Sequence, residues 1–218
     1  MGLLAVLLMA QVFPVRESTG VILPMLITGD MVAVWVFHAH ARARIILRLL
    51  PPSALGVLCG WWLMPRIPGA NFGKLIGVVS LIMIALVILQ KFVPAVLARV
   101  ERKRFSWPLG WTAGVTTMLA NAAGPITTAY LLACRLPKME FVGTGAWLFF
   151  VVNVFKVPFS ASLGLITPPS LLLNLAAAPL IVLGVFSGRA LLGKIHQSAF
   201  EWLMILLSAM GAVRLLFL

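Results

Sequence analysis

Six stretches of this chain, at 18–37, 41–64, 72–97, 140–159, 168–192 and 197–218, are predominantly apolar over about 20 residues or more. That is the length an α-helix needs, at about 1.5 Å rise per residue, to cross the ~30 Å hydrocarbon core of a bilayer. Lipid offers the backbone no hydrogen bonds, so a segment that crosses must satisfy its own amides and fold as a helix. With 62% hydrophobic and only 10% charged residues, and a mean hydropathy of +1.10, the chain cannot cover itself with a water-compatible surface. The expected fold class is all-α and polytopic, with the lipid bilayer as solvent.

Two further apolar stretches do not fit a simple crossing. Residues 3–13 are too short, and 107–134 is interrupted by Asn121-Ala122-Ala123-Gly124-Pro125, where a Gly-Pro pair breaks a helix. The chain also repeats itself. Pro14-x-x-Glu17-x-x-Gly20 recurs as Pro137-x-x-Glu140-x-x-Gly143, a register of 123 residues, and Pro51-x4-Gly56-Val57-x-x-Gly60 recurs as Pro179-x4-Gly184-Val185-x-x-Gly188, a register of 128. Two matches in the same order point to a duplication, with a first repeat at 1–98, a basic linker at 99–106 and a second repeat at 107–218.

Charge orients the two halves. The formal charge of +12 would suggest nucleic acid in a soluble protein, but here the basic residues fall in short gaps between apolar runs. That is the positive-inside pattern, and it excludes a nucleic-acid partner. The gap after residue 37 carries Arg42, Arg44 and Arg48, whereas its counterpart at 160–167 carries no charge, so equivalent loops are expected on opposite sides of the membrane. Lys91, Arg99, Arg102, Lys103, Arg104, Arg135, Lys138, Arg189 and Lys194 join the first group on the cytoplasmic face, leaving Arg16, Arg66, Lys74 and Arg214 opposite. This sidedness requires 107–134 to enter and leave on the cytoplasmic side, as a re-entrant hairpin with its tip at the 121–125 break. Each inverted repeat then supplies three transmembrane helices. The alternative is one kinked helix over 107–134 that crosses once, which would make the repeats parallel. By the repeat, 3–13 is the returning limb of a matching hairpin whose entering limb is absent.

The polar residues inside the spans are few. A helix that restarts at Gly124 or Pro125 presents free N–H groups and roughly half an elementary positive charge, which suits an anion; alternatively Ala122, Ala123 and Gly124 are small to let helices pack closely. Lys156 lies within a span, where a cation costs about 2.5–3.5 kcal/mol on insertion scales. A substrate anion, Asp30, or snorkelling to the periplasmic face would compensate it. Asp30 aligns in the repeat with Asn153, so both halves place a short polar side chain at equivalent depth. Asp30 reads either as a proton-coupling group or ion-pair partner of Lys156, or as a buried carboxylate bonded to backbone at a kink. Glu17 and Glu140 begin corresponding helices, where a carboxylate complements the helix dipole. His38, His40 and His196 have no metal-ligand company, and Cys59 and Cys134 read as packing residues, so neither a metal nor a cofactor is expected. The chain contains no Gly-x-Ser-x-Gly, no His-Glu-x-x-His and a single aspartate, which argues against a membrane enzyme.

Arg16-Glu17 followed by Leu23-Pro24-Met25-Leu26-Ile27-x-Gly29-Asp30 resembles the first repeat of the TauE/SafE sulfite-exporter family. In the second half Asn121-Ala122-Ala123-Gly124-Pro125, Leu136-Pro137-Lys138, Phe141-Val142-Gly143-Thr144 and Asn153-Val154-Phe155-Lys156-Val157-Pro158 are similar to the family's pattern in order and spacing. The resemblance implies export of sulfite, a sulfonate or a related small oxyanion across a bacterial inner membrane, coupled to an ion gradient such as protons. Members of the family usually carry a Gly-rich helix and turn before the position matching Leu3, which this chain lacks. That departure keeps a second class open, a non-transporting membrane scaffold or a passive anion channel. On the transport reading the anion binds among Asn121, Ala122, Ala123, Gly124, Pro125, Asn153 and Lys156, with Asp30 carrying the coupling proton.

Overall fold

The computed structural model describes residues 15–67 and 103–216, with isolated positions at 78, 81, 82 and 85. The expected span at 72–97, the stretch at 3–13 and part of the 99–106 linker therefore lie outside the described residues. Seven α-helices are described: α1 (Val15–Phe37), α2 (Ala43–Leu63), α3 (Lys103–Ala120), α4 (Gly124–Ala133), α5 (Lys138–Ser162), α6 (Pro168–Lys194) and α7 (Gln197–Leu216), with short 3₁₀ turns at His38–His40 and Met64–Arg66. No strand occurs among the described residues. Four helical stretches, Ser18–His40, Ala43–Arg66, Lys138–Ser162 and Pro168–Lys194, are long and apolar enough to cross a bilayer. They coincide with four of the six expected spans. Of the expected span at 197–218, Gln197–Leu216 forms a helix, whose apolar part, Gln197–Leu207, is shorter.

Lipid tails are as apolar as leucine, so helices in a membrane associate through close packing and hydrogen bonds rather than through the hydrophobic effect. The pairing of α2 with α3 works in this way. A Cβ at Gly56 would overlap the Trp111 carbonyl, and one at Gly114 would overlap the Ser53 carbonyl. The two backbones therefore touch, and the Ser53 hydroxyl donates across the contact to the Gly110 carbonyl at 3.1 Å. Beyond the break, α4 packs against α3, and Ala113, Ala123 and Ile126 share one buried cluster with Leu109 and Phe149.

Helices α1 and α5 run antiparallel. A Cβ at Gly20, near the start of α1, would overlap the Leu165 carbonyl just past the end of α5. Reciprocally, a Cβ at Gly143, near the start of α5, would lie 2.9 Å from the Phe37 carbonyl oxygen at the end of α1. Midway between, Asn153 Nδ2 donates to Asp30 Oδ2 at 2.7 Å. Helix α6 lies against α1 and is the least buried of the four long apolar helices. Its start is set by a reciprocal capping box between Thr167 and Ser170, and its buried residues are Ser170, Asn174 and Leu192.

Candidate functional site: a buried lysine at a broken helix

The site begins with the way α3 ends. Asn121 takes a left-handed backbone, φ 51°, a conformation that asparagine tolerates better than most residues. Its amide returns to the Thr117 carbonyl at 2.9 Å and that of Ala122 to the Thr116 carbonyl at 3.3 Å, so the reversal closes off α3. Helix α4 then restarts at Gly124 with Pro125, which has no N–H to leave unpaired, in its first turn. The first bond into the new helix runs from the Thr127 amide to the Ala123 carbonyl at 2.9 Å. Among the described residues no protein group accepts from the amides of Ala123, Gly124 or Ile126. The sequence thus located both the break and the restart.

Lys156 projects from α5 toward this reversal and is 2% exposed. Its ammonium donates to Asn121 Oδ1 and to Thr117 Oγ1, the latter at 3.3 Å. Asn121 passes the link on, donating from Nδ2 to the Thr19 carbonyl of α1 at 2.9 Å. A single chain of bonds therefore ties α5, the break and α1 together. An ammonium carries three donors, and the third meets no acceptor among the described residues.

Two of the compensations expected for Lys156 are corrected here. Burial excludes snorkelling, since the ammonium does not reach an interface. A direct ion pair with Asp30 is absent too, because Asp30 is held by Asn153 and the acceptors on Lys156 are neutral oxygens. The lysine thus meets neutral oxygens, with Asp30 in the neighbouring stretch of α1. Asn121, Asn153, Lys156, Ala122, Ala123 and Pro125 are all buried, whereas Gly124 and Asp30 are intermediate.

Beside Thr117 lies a cavity of about 10 Å³, lined among others by Ser53, Gly114, Thr117, Ala123, Thr127 and Val152. That is room for about one water molecule and too little for a sulfur oxyanion.

Several participants were not found from sequence. Thr117 is one. Another is Asn174 of α6, which donates from Nδ2 to the Val21 carbonyl at 3.0 Å. Asn121 and Asn174 thus take two carbonyls of α1 in the turn that precedes Pro24. A proline inside a helix removes one N–H and crowds the preceding turn, which opens carbonyls to outside donors. Pro24 within a span and a lone asparagine in 168–192 were the available signals. Glu140 sits in the first turn of α5, as the dipole argument expects, but it also accepts a two-pronged bond from Arg42, Nε to Oε2 at 2.6 Å and Nη2 to Oε1 at 2.7 Å. Among the described residues neither Cys59 nor Cys134 forms a disulfide, and no metal-binding cluster occurs.

Apolar helices of crossing length, with a lysine buried beside a helix break, define a polytopic membrane protein. A family model described as Sulfite exporter TauE/SafE matches residues 1–215, and the chain belongs to that family. It is a family of membrane transport proteins, not of enzymes. Neither a curated protein nor a solved structure matches the chain.

Proposed function

We propose that the protein is a secondary transporter that exports a small oxyanion, sulfite, a sulfonate or a related organosulfur anion, across the bacterial inner membrane. The observation that carries this reading is Lys156: a buried ammonium that, among the described residues, is bonded only to neutral oxygens with one donor uncommitted, beside a helix N-terminus whose first amides find no acceptor among those residues. An entering oxyanion supplies the missing negative charge, and charge-assisted bonds of this kind are about twice as strong as neutral ones.

Alternating access follows from two inverted repeats, 1–98 and 107–218, joined by the cytoplasmic linker at 99–106. Support comes from α1 and α5. Their motifs are related by a register of 123 residues, they pack antiparallel, and Asp30 and Asn153, separated by that same 123, touch each other. Equivalent helices in parallel repeats would run side by side in one direction. The packing of α4 against α3 beyond the break likewise supports a re-entrant hairpin with its tip at the 121–125 break. Asp30 is the coupling group, taking up a proton when its bond from Asn153 is released.

The test is sulfite efflux from proteoliposomes with and without an imposed pH gradient. Wild-type flux is expected to accelerate with the gradient. Asp30→Asn is expected to retain downhill flux while losing the response to pH. Gradient-independent flux in the wild type identifies a channel, and no flux at all a scaffold; either outcome removes the coupled-exporter reading.

A further inference from the structure

The two ends of the α1–α5 pair are sealed alike by a glycine under a backbone, but they are not fastened alike. At one end Gly143 lies against Phe37 and His40. There the Arg42 amide donates to Thr144 Oγ1 at 3.0 Å, while the Arg42 guanidinium grips both oxygens of Glu140. At the other end Gly20 lies under Leu165. The register of 123 residues places Leu165 where Arg42 stands and Val21 where Thr144 stands, so neither polar fastening has an equivalent. What crosses near that second end instead is the chain Lys156–Asn121–Thr19 carbonyl, which runs through the anion site.

We propose that Arg42 and Glu140 form a latch that holds the α1–α5 pair shut at the Arg42 end, while the opposite end is held through Lys156 and Asn121 and is released when an anion takes over the lysine's bonds. This inference rests on the alternating-access reading. A two-pronged guanidinium–carboxylate contact fixes direction as well as distance. It joins the connection leaving α1 to the first turn of α5, across the junction that must part if the site is to open on that face. The pair is accessible to water, with 58% of the Arg42 side chain and 22% of the Glu140 side chain exposed. It is therefore a weak, reversible fastening rather than a structural staple.

The experiment places spin labels at Ala43→Cys and Met139→Cys in a chain whose Cys59 and Cys134 are replaced by alanine, and reads the inter-label distance distribution in nanodiscs. The unmodified latch should give one short population. Glu140→Gln and, independently, Arg42→Gln should raise a longer-distance population about two- to five-fold, the range expected for an exposed pair. The exchanged pair, Arg42→Glu with Glu140→Arg, should restore the short one. A distribution unchanged by both single substitutions overturns the latch, as does failure of the exchange to restore it. Sulfite flux is measured on the same samples. A distance shift without flux in any variant supports the latch and defeats the transport reading, so the two ideas fail separately.

Discussion

Lys156→Met is expected to weaken sulfite binding to the purified protein by about 10- to 100-fold, the equivalent of a charged hydrogen bond worth about 1.5–3 kcal/mol, and to abolish export. Stability should move the other way or not at all. The ammonium is buried against Thr117 and Asn121, and no carboxylate among the described residues is bonded to it. Replacing such a cation by an apolar side chain of similar length removes a desolvation penalty. The bonds lost are to neutral oxygens, and Asn121 keeps its bond to the Thr19 carbonyl. Isothermal titration with sulfite and thermal unfolding in detergent measure the two quantities on one preparation. An unchanged affinity would sink the assignment of Lys156 to the anion site. Lost affinity with an equally large loss of stability would make the residue a structural one.

The second large effect concerns packing and contrasts two matched positions. Gly56→Ala is expected to destabilise the protein by about 1–3 kcal/mol, because the new methyl would overlap the Trp111 carbonyl and force α3 away from α2. The displacement would carry Thr117, and with it one of the two acceptors on Lys156. Gly184 is its counterpart in the second copy of the motif, and a Cβ there meets nothing within 4 Å among the described residues. Gly184→Ala should leave the melting temperature unchanged or slightly raised, since alanine is the better helix former. Thermal unfolding followed by size-exclusion chromatography separates these outcomes. Equal losses at both sites would show that glycine serves backbone flexibility rather than close approach.

The helices themselves were readable because the bilayer imposes a length and forbids unpaired amides, so 18–37, 41–64, 140–159 and 168–192 return as helices of crossing length. The Gly124-Pro125 pair located the restart of α4 for an equally local reason. Lys156 stood out because its burial is costly wherever it is placed. Its partners did not stand out. Thr112, Thr116 and Thr117 all lie in α3, and which of them faces Lys156 depends on the rotation of α3 against α5, set by Gly56 and Gly114 contacts that no local pattern encodes. The pairing of Arg42 with Glu140 spans 98 residues. A helix-dipole role already accounted for Glu140, and nothing in the spacing pointed to a partner. Asp30 and Asn153 were matched by the repeat, but that equivalent positions should touch follows only when the helices that carry them are antiparallel neighbours.

The small cavity beside Thr117 bears on the energetics of the whole cell. A membrane that stores an electrochemical gradient must not be short-circuited by its own transporters, and an ionisable side chain inside a span invites the water files that conduct protons. Space of about 10 Å³, enough for about one water molecule, holds no continuous file at that point. On the transport reading proposed above, cargo would create its own room by displacing helices. Tightness at rest is thus a property of packing, and any substitution that enlarges this cavity should be read first as a leak.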